Sequence, residues 1–170
     1  VFLTTAVSGS EDGTAGQTLR ALCLDAGSGK ILWNVEVFGN EGDKAARIHK
    51  KNSHASPTPL VAGGRVYVHF GHQGTACLDL KGRILWRNSS LDYPPLHGNG
   101  GSPILVGNLL VFSCDGLSEP FIVALDKATG KIRWKTARET SDKKKFSFST
   151  PLLITVNGEQ QIISPGSGAV

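Results

Sequence analysis

Apolar and β-branched residues come along this chain in short runs cut by glycine turns, and no run of helical period interrupts them. Val1 to Val7 reads as a strand, followed by a glycine-, serine- and acid-rich loop from Ser8 to Thr18. Leu19 to Leu24 and Lys30 to Val37 read as two more strands around a tight turn from Asp25 to Gly29. A polar loop, 38–54, separates them from a fuller unit with strands at Pro57 to Val61, Arg65 to Phe70, Thr75 to Leu78 and Arg83 to Arg87. The plan returns after loop 89–101 as Pro103 to Val106, Leu109 to Ser113, Phe121 to Leu125 and Lys131 to Thr136. Thr150 to Ile154 and Gln160 to Ser164 open another unit. Connections inside each unit have hairpin length, which predicts antiparallel meanders and no helix.

One stretch recurs within this pattern. Ala124-Leu125-Asp126-Lys127-Ala128-Thr129-Gly130-Lys131-Ile132-Arg133-Trp134 has relatives in Cys23 to Trp33 and, one residue shorter, in Cys77 to Trp86. The three tryptophans fall at a spacing close to that of one four-stranded propeller blade, roughly 40–50 residues. The expected fold is therefore all-β: a partial β-propeller of four-stranded antiparallel blades. Residues 1–37 would give three strands of a blade, 56–88 and 102–137 full blades, and 149–170 the start of a further one. A ring usually needs ~4–8 blades. With no methionine in the sequence, the chain reads as an excerpt whose remaining blades come from the rest of a longer protein.

The recurring stretch has the parts a blade needs. Thr129-Gly130, Ser28-Gly29 and Lys81-Gly82 suit a turn between the third and fourth strands, where glycine tolerates positive φ. Asp126, Asp25 and Asp79 precede that turn and can accept hydrogen bonds from its amides. Trp134, Trp33 and Trp86 follow on the outermost strand, where a ring can bury ~150–250 Å² against the next blade. Ala124, Cys23 and Cys77 share one position and leave such a ring room.

Ala124-x-Asp126-x-x-Thr129-Gly130-x-x-x-Trp134 resembles the tryptophan-docking motif of the pyrroloquinoline-quinone-like (PQQ-like) β-propeller repeats. The third copy matches throughout; the first has Cys and Ser in place of Ala and Thr, and the second lacks one residue. The resemblance covers nearly the whole chain. It implies export to a periplasm or cell surface, and a role as a non-catalytic binding or scaffold module for a protein or polymer partner. The alternative it leaves open is a fragment of a PQQ-dependent dehydrogenase, with PQQ and a calcium ion as cofactors. Such enzymes carry adjacent cysteines, a tryptophan platform and a catalytic aspartate, and none of these is recognisable here. No cofactor and no metal are therefore expected.

Charge adds a limit. The net charge is +4, and the excess sits in two mixed-sign segments, one with Glu41, Asp43, Lys44, Arg47, Lys50 and Lys51, the other with Arg138, Glu139, Asp142, Lys143, Lys144 and Lys145. These read as solvated linkers, not as the basic stripe of a nucleic-acid surface. Nor is any apolar run long enough for a transmembrane segment. Cys23, Cys77 and Cys114 read as small buried side chains. Asn88-Ser89-Ser90 is a glycosylation sequon, relevant in a eukaryotic secretory route.

Candidate site residues follow from topology. In a meander, successive loops alternate between faces, so the connection from strand two to three shares a face with the connection between blades. That face collects His54, His72, His97, Asn99 and Asp115, with His49; His69 falls inside a strand. Tight turns such as Gly63-Gly64, Gly107-Asn108 and Asn157-Gly158 occupy the other face. His54-Ala55-Ser56-Pro57, Gly100-Gly101-Ser102-Pro103 and Phe148-Ser149-Thr150-Pro151 lead into the inner strands, where proline starts a strand and the hydroxyl is expected to cap the incoming loop. A second reading makes His54, His97 and Asp115 polar groups around a central opening that receives a ligand.

Overall fold

A computed structural model describes residues 1–8, 16–40 and 49–169. The charges at Glu41, Asp43, Lys44 and Arg47 and most of the loop after Ser8 lie outside the described residues.

The strands form four antiparallel sheets in which sequence neighbours are also spatial neighbours. The first holds β1 (Phe2–Ser8), β2 (Gln17–Leu24) and β3 (Ile31–Asn40). The second holds β4 (Leu60–Ala62), β5 (Arg65–His69), β6 (Thr75–Asp79) and β7 (Ile84–Asn88). In the third are β8 (Ile104–Val106), β9 (Leu109–Cys114), β10 (Phe121–Asp126) and β11 (Ile132–Ala137). A hairpin of β12 (Leu152–Val156) and β13 (Glu159–Ile163) follows. Among the described residues there is one 3₁₀ turn, Gly71–Gln73, and no α-helix. This is the partial propeller expected from the repeats.

Strand periodicity explains the core. In β5, Val66 and Val68 point into the layer shared with the first sheet, where Leu19, Ala21, Val37 and Phe70 lie, while Tyr67 between them points into the layer shared with the third. In β6, Ala76 and Leu78 against Cys77 divide the same way. A sheet covered on both faces reads as a continuous apolar run. All three cysteines are buried and unpaired, and burial raises the Cys77 thiol to about 11.

Trp33, Trp86 and Trp134 stand directly across from Cys23, Cys77 and Ala124, and in each repeat the register slips at the next residue. The bulge turns the ring outward over the following sheet. Trp33 donates from Nε1 to the carbonyl of Leu80 at 3.0 Å, and Trp86 to that of Lys127 at 3.1 Å. A Cβ on Gly130, whose φ is +73°, would lie 2.5 Å from the Trp86 ring. Glycine there serves the ring as well as the turn. Asp126 Oδ1 accepts from the amides of Ala128 and Thr129 and from the Thr129 hydroxyl, and Asp25 repeats this with Gly27 and Ser28.

Two expectations change. The inner strands start later than the prolines suggest, at Leu60 and Ile104. Proline has no amide to give to the ladder, and the amide of Thr58, between two prolines, goes instead to Ser102 Oγ at 2.9 Å. Likewise Ser102 donates its own amide to Thr150 Oγ1 at 2.9 Å. The hydroxyls of Ser102 and Thr150 thus bridge sheets, and Ser56, bonded to Asn52 and Ser53, alone of the three caps its own loop.

Candidate functional site

The loops 70–74, 89–103, 115–120 and 138–151 all leave the same side of the sheets and interlock there. Gly116 packs on the carbonyls of Tyr93 and Pro94, and the Leu117 amide donates to Pro94 at 2.8 Å. Three polar clusters lie on this side.

The first is built on His69, the last residue of β5. Its Nδ1 is 2.8 Å from Thr75 Oγ1, its Nε2 3.3 Å from the Tyr93 hydroxyl, and its ring 4.3 Å from that of Phe112. In the 3₁₀ turn beside it, His72 Nδ1 is 3.4 Å from Asn99 Nδ2, while its buried Nε2 has no hydrogen-bond partner among the described residues. Asn99 packs against the bare backbone of Gly71, so closely that any Cβ there would overlap it. His54 Nδ1 meets Gln73 Nε2 at 2.7 Å. Burial, with His72 adding to it, brings the His69 pKa down to about 3. Burial also brings His72 down to about 4, reinforced by His54 and opposed by Asp92. His54 is lowered by burial as well. These imidazoles are neutral at pH 7.

The second cluster joins Asp115 and Arg138, whose side chains are 1% and 6% exposed and whose Oδ2 and Nη1 are 3.3 Å apart. Ser147 Oγ donates to Asp115 Oδ2 at 2.6 Å, and Arg138 Nη2 reaches Ser164 Oγ at 2.8 Å and Ser113 Oγ at 3.3 Å. Burial raises the Asp115 pKa, with Ser147 and Arg138 acting against it. Arg138, expected in a solvated linker, is instead a buried counter-ion. A lone guanidinium cannot lose its charge, so it is buried only where a carboxylate meets it.

The third is an open cleft of about 470 Å³ lined by His49, Lys51, Asn52, His97, Gly100 and Phe148. His49 and His97 meet edge to face at 5.6 Å, His97 and Phe146 at 5.0 Å, and Phe146 and Phe148 at 5.8 Å. Asn52 Nδ2 fixes the turn by donating to the His97 carbonyl at 2.9 Å.

His72 and Asn99 thus come together, His54 joins them through Gln73, and His97 and Asp115 sit in separate clusters. His54, His97 and Asp115 do not form one polar set. His69, Tyr93, Arg138, Ser147, Phe146 and Phe148 belong to the site without having been singled out in the sequence. A histidine closing an otherwise apolar strand was the available signal for His69; the others lie in loops whose partners are remote in sequence. The sequon amide of Asn88 is committed to the Gly130 carbonyl at 2.6 Å.

A family model described as "Outer membrane protein assembly factor BamB", the PQQ_2 repeat family, matches residues 4–153. The chain belongs to this PQQ-repeat family. No curated protein sequence matches it. Among solved structures, a europium-containing methanol dehydrogenase is similar with 18% identity and a TM-score of 0.54, over 84% of this chain and 24% of that one. BamB from Moraxella catarrhalis is similar with 21% identity and a TM-score of 0.45, over 71% and 32% respectively. The PQQ-repeat chain therefore spans a third or less of either structure, and the methanol dehydrogenase likeness speaks to the fold alone. No helix among the described residues is long and apolar enough to cross a membrane.

Proposed function

We propose that this PQQ-repeat chain is a non-catalytic binding module of an exported protein, engaging a protein partner through its loop face and working without a quinone. What carries this reading is that His69, Asp115 and Arg138 on that face are held by neighbouring side chains, with His72 Nε2 and Asp115 Oδ1 buried and left without a hydrogen-bond partner among the described residues, while the cleft between His49 and Phe148 stays open. A reacting centre needs a titratable group aimed at substrate with its pKa near the working pH. Here Asp115 faces Arg138, and His69 faces Thr75 and Tyr93. Periplasmic or cell-surface location belongs to the same proposal and rests on family membership.

The second reading, a fragment of a PQQ-dependent dehydrogenase, is favoured only by the methanol dehydrogenase likeness. The described residues do not fit a quinone held with calcium. The Trp33 and Trp86 rings lie on neighbouring turns, the three thiols are buried and unpaired, and no three His, Cys, Asp or Glu side chains among the described residues could hold a metal ion. The natural protein, incubated with PQQ and calcium, is expected to show no dye-linked alcohol oxidation; robust turnover would overturn the scaffold reading.

A further inference from the structure

Residues 49–52 and 146–148, distant in sequence, meet at the third cluster. Lys51 and Asn52 form one wall of the cleft, and Phe148 the other. Lys50 directly precedes Lys51, and Lys143 and Lys144 lie a few residues before Phe146 in the sequence. Lys145 is paired with Glu119 at 2.7 Å. Lys50, Lys51, Lys143 and Lys144 are exposed and have no carboxylate within ion-pair distance among the described residues.

Beside Lys51 runs the series of rings from His49 through His97 and Phe146 to Phe148. Phe148 is 45% exposed, whereas Phe146 is half-buried and Tyr93 fully buried. An open ring beside a preformed apolar floor marks a contact surface, and a cleft of this size suits a few side chains.

We propose that the cleft binds a short acidic peptide segment carrying an aromatic side chain. The ring of the peptide packs on Phe148 and Phe146 in offset or edge-to-face contact, and its flanking carboxylates face Lys51 and the adjacent Lys50. The cations steer the encounter and set the orientation, and the ring supplies the anchor. Asp92, Asp115, Glu119, Glu139 and Asp142 are the acids of the neighbouring loops; Asp115 is taken by Arg138, Glu119 by Lys145, and Asp142 accepts from Ser167 Oγ. The opposite side of the molecule, made of tight turns, offers no comparable ring series among the described residues.

This proposal rests on the binding-module reading and names its partner. The test titrates the natural protein, by fluorescence anisotropy at low salt, into a short fluorescein-labelled peptide of glutamates around one phenylalanine. Three competitors accompany it: the peptide with alanine for phenylalanine, the peptide with glutamines for glutamates, and a single-stranded oligonucleotide of equal charge. Saturable binding is expected, with each competitor weaker by about tenfold or more. Phe148→Ala and Lys51→Glu should each weaken binding by about tenfold, while Lys131→Glu, in the turn before β11, should leave it unchanged. Absence of binding, equal competition by the oligonucleotide, or an equal loss in Lys131→Glu would overturn the proposal. If Phe148→Ala fails to fold, the Lys51→Glu and competitor arms still decide. Failure here with no quinone-dependent turnover leaves the binding module standing without this partner; such turnover overturns the module itself.

Discussion

At the scale of single residues, the most consequential placement is that of His69. Its two nitrogens are satisfied by Thr75 and Tyr93 and its ring is 2% exposed, so the fold holds it neutral. The folded pKa of about 3 lies below the ordinary value of 6.5. The unfolded chain therefore takes up a proton at mildly acid pH that the folded chain refuses, and stability falls as pH drops below about 6.5. Between pH 7 and pH 5, His69 should account for a loss of about 2 kcal/mol. His72 acts in the same direction, with a smaller share because it is more open to solvent. Denaturant melts across this range check the sign; a His69→Gln variant should flatten the dependence, and an unchanged slope would mean that His69 is not responsible.

At the scale of elements, the unit of cohesion is a bulged outer strand together with the turn of the next blade. The bulge after Cys23 and Cys77 aims each tryptophan at a turn whose glycine has no side chain to block it. Gly29 and Gly130 hold the same place in the repeat with nearly the same φ, +71° and +73°, yet nothing lies within 4 Å of a Cβ on Gly29. Gly29→Ala should then cost only the strain of a left-handed alanine, about 1 kcal/mol. Gly130→Ala should cost that and the displacement of Trp86 besides, about 2–4 kcal/mol in all. Equal losses in chemical denaturation would show that the ring contributes nothing to holding the blades together.

At the scale of the molecule, the loop face ties successive sheets to one another. Asp115 follows β9, Arg138 follows β11, and Ser164 follows β13, so one ion pair with its hydroxyls joins the third sheet to the last hairpin. Removing one partner leaves a buried charge uncompensated. Asp115→Ala should cost about 3–5 kcal/mol, and Asp115→Leu combined with Arg138→Met should recover much of it. A double variant no more stable than Asp115→Ala would show that the loss does not come from the charge left uncompensated on Arg138.

The sequence by itself determined the sheets, their order and the repeating Asp, Gly and Trp positions, because these depend on local periodicity and on turns that close within a few residues. It also determined which loops share a face, since a meander leaves no choice. Which side chains meet on that face was decided only by the tertiary structure. Asn99 sits on the bare Gly71, and Arg138 looked like one cation in a polar loop until Asp115 lay beside it. The convergence of Lys51 with Phe148 depends on loops almost a hundred residues apart. Such contacts are set by how far each blade is rotated on its neighbour, and that rotation comes from the packing of two full core layers, which no local pattern records.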